Sequence, residues 1–276
     1  MAAFPKRPIS GMAEWARRVA AFSLVLLVTA GVGHRYGLVE SYAFLWTLAL
    51  VAVLALGGLA LAAGGFVQLW RDGARGGKAS LAAILLSVFV LVPYGAAGWL
   101  YLTLPALTDI STDVDEPPPF AIAPRFREPQ MNALGGPITR EAAELQLRHY
   151  PEVAGRRLDA PVERVLAALA PVVAARGWRM RGPMPTSASQ PEILIEMEAP
   201  SFLMRFPADA VLRLTDEDET TFVDIRMAAR YGPHDLGANA RRIAAFMADL
   251  AAELERQSLE IIDIPPSSEG GVNPVD

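Results

Sequence analysis

SYAFLWTLALVAVLALGGLALAAGGFVQLW, residues 41–70, runs for thirty positions without one charged side chain. A helix rises about 1.5 Å per residue, so bilayer hydrocarbon about 30 Å thick is crossed by roughly 20 of them. Inside that layer every backbone amide must be bonded within the segment, and a helix does this. The stretch therefore predicts a membrane-spanning helix with length to spare for tilt.

Two further uncharged stretches flank it, at 19–33 and 79–108. The first is short, and Arg17 and Arg18 before it with Ala30 and Gly31 near its end resemble a signal peptide. Two spans follow at once, which makes it a retained signal anchor. Residues 1–108 are thus a transmembrane region with helices near 16–35, 41–70 and 79–104, the third kinked at Pro93. Gly57, Gly58, Ala62, Gly64 and Gly65 give the second helix small faces that suit packing within the bundle or a dimer seam.

Short loops set the orientation, because Lys and Arg are retained on the cytoplasmic side. Lys6, Arg7, Arg17 and Arg18 precede the first span, and Arg71, Arg75 and Lys78 lie between the second and third, whereas Arg35 and Glu40 cancel in the other loop. Three spans then place everything after Thr108 outside. The expected location is a bacterial inner membrane, multi-pass, with a cytoplasmic N-terminus and a periplasmic C-terminal domain. No ionisable side chain interrupts the second or third span, which argues against an ion pathway.

Charge divides the chain in the same place. The first 108 residues hold eight basic against three acidic side chains, and the remainder holds 17 Arg against 27 Asp and Glu. An acidic exported part lacks the cationic footprint that nucleic acid requires. With no cysteine, disulfides, thiolate metal sites and cysteine nucleophiles are excluded.

Residues 109–137 carry Pro117, Pro118, Pro119, Pro124, Pro129 and Pro137 and read as an extended, proline-rich linker. Phe120, Ile122 and Phe126 are candidates to lay it against the domain. Residues 138–262 read as an α+β domain, and 263–276 as a disordered tail. Pro161 opens a helix whose Val162, Val165, Leu166, Leu169, Val172 and Val173 recur at helical spacing. Strands are expected at 178–181, 192–198, 210–214 and 221–229, the last two joined by the acidic turn 216–219. Alternation in the final strand sets Val223, Ile225, Met227 and Ala229 toward a core and Asp224, Arg226, Ala228 and Arg230 toward water. Asp235 is the expected N-cap of a final helix with a stripe of Leu236, Ala240, Ile243, Met247, Leu250 and Leu254. Helix, four antiparallel strands and helix make a two-layer α/β sandwich with both helices on one face.

The densest polar group is Arg226, Arg230, His234, Asn239, Arg241 and Arg242, with Asp224 and Asp235 among them. Arg241 and Arg242 stand in the first turns of a helix, where the dipole disfavours cations unless an anion is near. One reading is an anion site built from those six residues, with Asp224 and Asp235 structural, for a lipid headgroup, a cell-wall fragment or an acidic partner. The other is internal neutralisation of the arginines by Asp209, Asp224, Asp235 and the acidic turn. A hydrolase needs a nucleophile, a base and an orienting group. His149 and His234 are the only histidines beyond the spans and no Gly-x-Ser-x-Gly elbow occurs. No catalytic set, metal site or cofactor is expected. A periplasmic hydrolase acting on an envelope component is the alternative to a binding module.

Asp109-Ile110-Ser111-Thr112-Asp113 with Pro117, Pro118 and Phe120, then Tyr150-Pro151, Gly177-Trp178 and Val211-Leu212-Arg213, lead to a denser block. That block is Asp224-Ile225-Arg226, Arg230, Gly232, Asp235-Leu236-Gly237, Asn239 and Arg241-Arg242-Ile243. Over roughly 109–255 the chain resembles the bacterial family of domain of unknown function 1499. The family pattern has serines between the two strand arginines and paired aspartates before the third strand. This chain has Met227, Ala229 and Ala208 there, departures that favour a structural or binding role over chemistry. The resemblance implies the domain and no reaction.

Overall fold

The computed structural model describes residues 8–134, 136–185 and 191–262. Lys6, Arg7 and the tail over 263–276 lie outside them. Three helices come first: α1 (Gly11–Arg35), α2 (Ser41–Asp72) and α3 (Gly77–Thr103). Each is long and apolar enough to cross a membrane, which marks the chain as a membrane protein. The Ser10 hydroxyl caps α1 by accepting from the Ala13 amide. The small face of α2 packs inside the bundle. A Cβ at Gly65 would stand 2.6 Å from Ser80 Oγ on α3 and 3.1 Å from the Ala13 amide nitrogen on α1, and one at Gly58 would meet Ser87 at 2.8 Å.

The folded part follows in the order β1 (Asp109–Ser111), a 3-10 turn (Ala123–Phe126), α4 (Arg140–His149), β2 (Arg156–Leu158) and α5 (Val162–Ala175). Then come β3 (Arg179–Met180), β4 (Glu192–Glu198), β5 (Ala208–Glu217), β6 (Thr220–Ala229) and α6 (Ala238–Ile262). The α+β class is the expected one. The antiparallel sheet runs β1-β6-β5-β4-β3, with β2 also paired to β6. The four expected strands are β3 to β6; β1, β2 and α4 are additional. Gln146 of α4 explains how so short a strand as β1 is held: its Nε2 donates to the Ser111 carbonyl at 2.6 Å and its Oε1 accepts from the Ser111 amide. One buried amide side chain thus acts as a neighbouring strand would.

On one face Ile195, Met197, Leu212, Leu214, Ile225 and Met227 meet Leu166 and Leu169 of α5 and Ile243, Phe246 and Leu250 of α6 in a single core. Trp178 stacks on Phe246 there, ring centroids 5.0 Å apart. Full burial of each such side chain contributes about 1.5–3 kcal/mol.

The other face corrects the expectation of a wet surface. Asp224, Arg226 and Ala228 are 2–3% exposed. Residues 109–134 lie across this face as a strap, and Phe120 and Ala123 cluster with Val211 and Ala228. Glu196, pointing from β4, accepts the Ala121, Ile122 and Ala123 amides at 2.6–2.7 Å. Alternation gave the right faces, but ionic side chains stay dry when their counterions are delivered from elsewhere in the chain.

At the far end of the β5–β6 hairpin Arg157 grips Glu217 through two hydrogen bonds, at 2.6 and 2.9 Å. The Arg157 hydrogen bonds, helped by the Thr220 hydroxyl, pull the Glu217 carboxyl down to about 2. A carboxylate depressed on folding contributes stability that is complete above its unfolded value, near 4.5, and is lost as pH falls toward 2. Unfolding midpoints of the wild type and Glu217→Gln should therefore differ at pH 6 and converge by pH 2; a constant gap would contradict the pairing.

Candidate functional site

The residues of the 224–242 block go to three separate places. Arg226 lies under the strap. Its Nε and one Nη hold both oxygens of Asp109 at 2.9 and 2.7 Å, the guanidinium also donates to the Gly136 carbonyl, and its charge sits over the Phe120 ring. Asp224, on the same face, is shared by Thr112 and Arg213, and Arg213 also reaches Asp113. Burial alone would raise Asp113, but the Glu116 and Asp115 amides and Arg213 together hold it below the usual carboxylate value.

Arg230 is paired through Nε and Nη to Asp209, the shortest contact being 2.6 Å, and Arg127 takes the same carboxylate at 2.8 Å. It also borders an open cleft of about 570 Å³ lined by Arg35, Arg179, Arg205, Glu40, Glu128 and Glu198. For Arg226 and Arg230 the geometry is that of internal neutralisation.

His234, Arg241 and Arg242 gather at a second cleft, of about 420 Å³, where the domain meets the membrane helices. Leu45 of α2, Leu100 of α3 and Leu203, Met204 and Phe206 of the β4–β5 loop supply its apolar wall. The volume lies within the range of small-molecule pockets, and an apolar wall with a few convergent polar groups is their usual form.

Backbone geometry places the cations. The chain turns into α6 through Leu236 at φ 55 and Gly237 at φ 69, left-handed values that a glycine accepts and a leucine resists. A Cβ at Gly237 would also stand 2.9 Å from Leu104. Asp235 holds this turn by accepting the Gly237 and Asn239 amides, each at 2.8 Å. It caps the turn into α6 from three residues before the first helical position. Burial pushes its carboxyl up.

Both ring nitrogens of His234 are engaged: Nδ1 accepts from the Leu236 amide at 2.8 Å, which leaves Nε2 to donate to the Leu104 carbonyl at 3.1 Å. In that pattern neither ring nitrogen keeps a lone pair free for general-base work. The histidine joins the domain to the end of α3. Asn239 is fully buried, donating to the Thr108 carbonyl and accepting from Arg242.

Arg242 spends three donors on Asn239 Oδ1, the Ala199 carbonyl and the Ala238 carbonyl. Among the described residues no carboxylate comes within 4.0 Å of it or of Arg241, unlike Arg226 and Arg230. Burial presses its guanidinium down to about 10, still charged at neutral pH. Arg241 is exposed and donates to the Leu236 carbonyl. The cleft therefore offers two cations beside an apolar wall, neither in ion-pair contact with a carboxylate although the capping Asp235 also lines it, an arrangement that recognises an anion attached to hydrocarbon.

The wall residues were missed from sequence. Leu45 and Leu100 look like any lipid-facing residue of a span. Phe202-Leu203-Met204, an apolar run in a loop, was the available signal.

Fold and site together define a membrane-anchored α+β protein: three apolar helices carrying a strapped antiparallel sheet, with a cationic, apolar-walled cleft at the junction. The chain belongs to the family described as protein of unknown function (DUF1499), whose model matches residues 109–250. That match begins at the first residue of β1 and takes in the whole strap. No curated protein and no solved structure matches the chain.

Proposed function

We propose that this protein is a non-enzymatic binding module of a bacterial inner membrane, its N-terminus cytoplasmic and its α+β domain periplasmic, that holds an amphiphile with an anionic headgroup. The junction cleft carries the reading. Arg241 and Arg242 line it with one carboxylate, Asp235, which is spent on the turn into α6 and lies outside ion-pair distance of both, and Leu45, Leu100 and Leu203 beside them suit an acyl chain. An anion bound there would complete the charge of Arg242 in a poorly hydrated place, where paired charges are favoured over a lone one. The positive-inside distribution of the loops supports the orientation. The departures at Met227 and Ala229, together with the engaged nitrogens of His234, favour binding over hydrolysis.

A phospholipid and a lipid-linked wall fragment share this chemistry, and mass separates them. Native mass spectrometry of the full chain, extracted gently from membranes, should show a retained anionic amphiphile. Arg241→Glu should reduce occupancy about tenfold or more, the worth of one charge-assisted contact. A chain that carries no adduct, or carries the same adduct equally in Arg241→Glu, would sink the reading.

A further inference from the structure

The loop between β4 and β5 is closed on itself and presents its most apolar residues outward. Ser201 donates its amide to the Phe206 carbonyl at 2.9 Å, accepts the Arg205 amide at its own carbonyl, and caps the Phe206 amide with its hydroxyl at 3.0 Å. Arg205 turns the chain at φ 57. At the tip Phe202 is 87% and Leu203 72% exposed, a poor arrangement for a surface washed by water on every side.

The carbonyls of the tip are satisfied from the membrane helices. Arg35, last residue of α1, donates one Nη to the carbonyls of Phe202 and Leu203 at 2.8 and 2.9 Å. His34, which also contacts the Ser41 hydroxyl, bonds the Met204 carbonyl through Nδ1 at 2.7 Å. Three successive carbonyls are thereby relieved of any need for water, which lowers the cost of bringing irregular backbone to the apolar boundary of a bilayer. Phe206, behind the tip, packs its ring against His34 and Phe44.

Depth follows from the same contacts. Leu203 shares the junction cleft with Leu45 and Leu100. Leu45 lies four residues inside the start of α2 and Leu100 three inside the end of α3, or about 4–6 Å along the helices. Tyr42, Trp46, Trp99 and Tyr101 form an exposed aromatic belt on the same helix ends, where headgroups meet hydrocarbon.

We infer that Phe202 and Leu203 form a wedge inserted into the outer leaflet, so that the domain is held flat on the lipid surface by a second, non-helical anchor. This rests on residues other than Arg241 and Arg242. A cleft that retained no amphiphile would leave it untouched.

The chain has no cysteine, so Leu203→Cys and Phe202→Cys each introduce a single labelling site in the full-length protein. A nitroxide at either position, with the protein in nanodiscs of phosphatidylethanolamine and phosphatidylglycerol, should collide more with oxygen than with a water-soluble nickel chelate. A nitroxide at Asp218, in the turn between β5 and β6, should show the reverse. Preference for the nickel chelate at both 202 and 203 would overturn the inference. So would shielding from both reagents at both positions, which would mean that protein covers the tip.

Discussion

Asp209→Asn should lower the stability of the folded protein by about 3–5 kcal/mol, the cost of stranding buried charge, although it changes one atom. Asp209 is 1% exposed and is the counterion of Arg230 and Arg127, with Arg181 3.7 Å away. The amide keeps the shape and removes the charge, leaving guanidinium groups that face one another with Glu198 as their remaining neighbour. Thermal unfolding in detergent should show a midpoint lower by about 10 °C. Adding Arg127→Met should cost less than the sum of the two single changes, because it removes one of the stranded cations. Strict additivity would mean that the three groups do not act as one cluster.

Glu196→Ala should be of similar size, about 3–5 kcal/mol, by a different route. Three amides of the strap converge on that carboxylate, and its loss leaves them, the Ala123 amide in a buried place, without that acceptor. The strap should lift locally before the sheet unfolds. Hydrogen exchange at Ala121, Ile122 and Ala123 should quicken about a hundredfold or more, while the amides of β5 change little. Glu196→Gln, which retains an acceptor oxygen, should fall between. Unchanged exchange at 121–123 in Glu196→Ala would show that the strap's apolar and ionic contacts hold it without Glu196.

How much of this was legible depended on how local its cause is. Thirty uncharged residues specify a spanning helix by themselves, and the stripes of α5 and of α6 from Ala240 on needed only their own spacing, whereas Leu236, expected in the second stripe, lies in the turn before α6. The same holds for β4, β5 and β6. By contrast β1 is three residues between prolines, defined by pairing Asp109 with Ala228 and by Gln146, and nothing in its own composition announces either partner. The face of Asp224, Arg226 and Arg230 looked wet because their ionic character was read without the strap that covers it. Asp109 and Arg226 meet across 117 positions of sequence.

The candidate site shows the same limit. Its charged residues stood in the polar group between 224 and 242, but one strand and one turn divide that group among three environments. Arg226 lies under the strap, Arg230 pairs with Asp209 beside the first cleft, and His234, Arg241 and Arg242 border the second, where His234 and Asn239 also fasten the domain to the segment 104–108. Which arginine meets a carboxylate is decided by β1, β5 and the strap. Which meets an apolar wall is decided by α2 and α3. Neither is visible from the spacing within 224–242.

This division of labour makes a direct demand. Arg226→Gln and Arg241→Glu, each in the full-length protein, should be compared for unfolding midpoint and for amphiphile retained on extraction from native membranes. Arg226→Gln should unfold several degrees lower and, below its transition, retain as much amphiphile as the wild type, whereas Arg241→Glu should unfold with the wild type and lose its amphiphile. Loss of the amphiphile from an Arg226→Gln protein of unchanged stability would contradict the account and return the binding site to the strand.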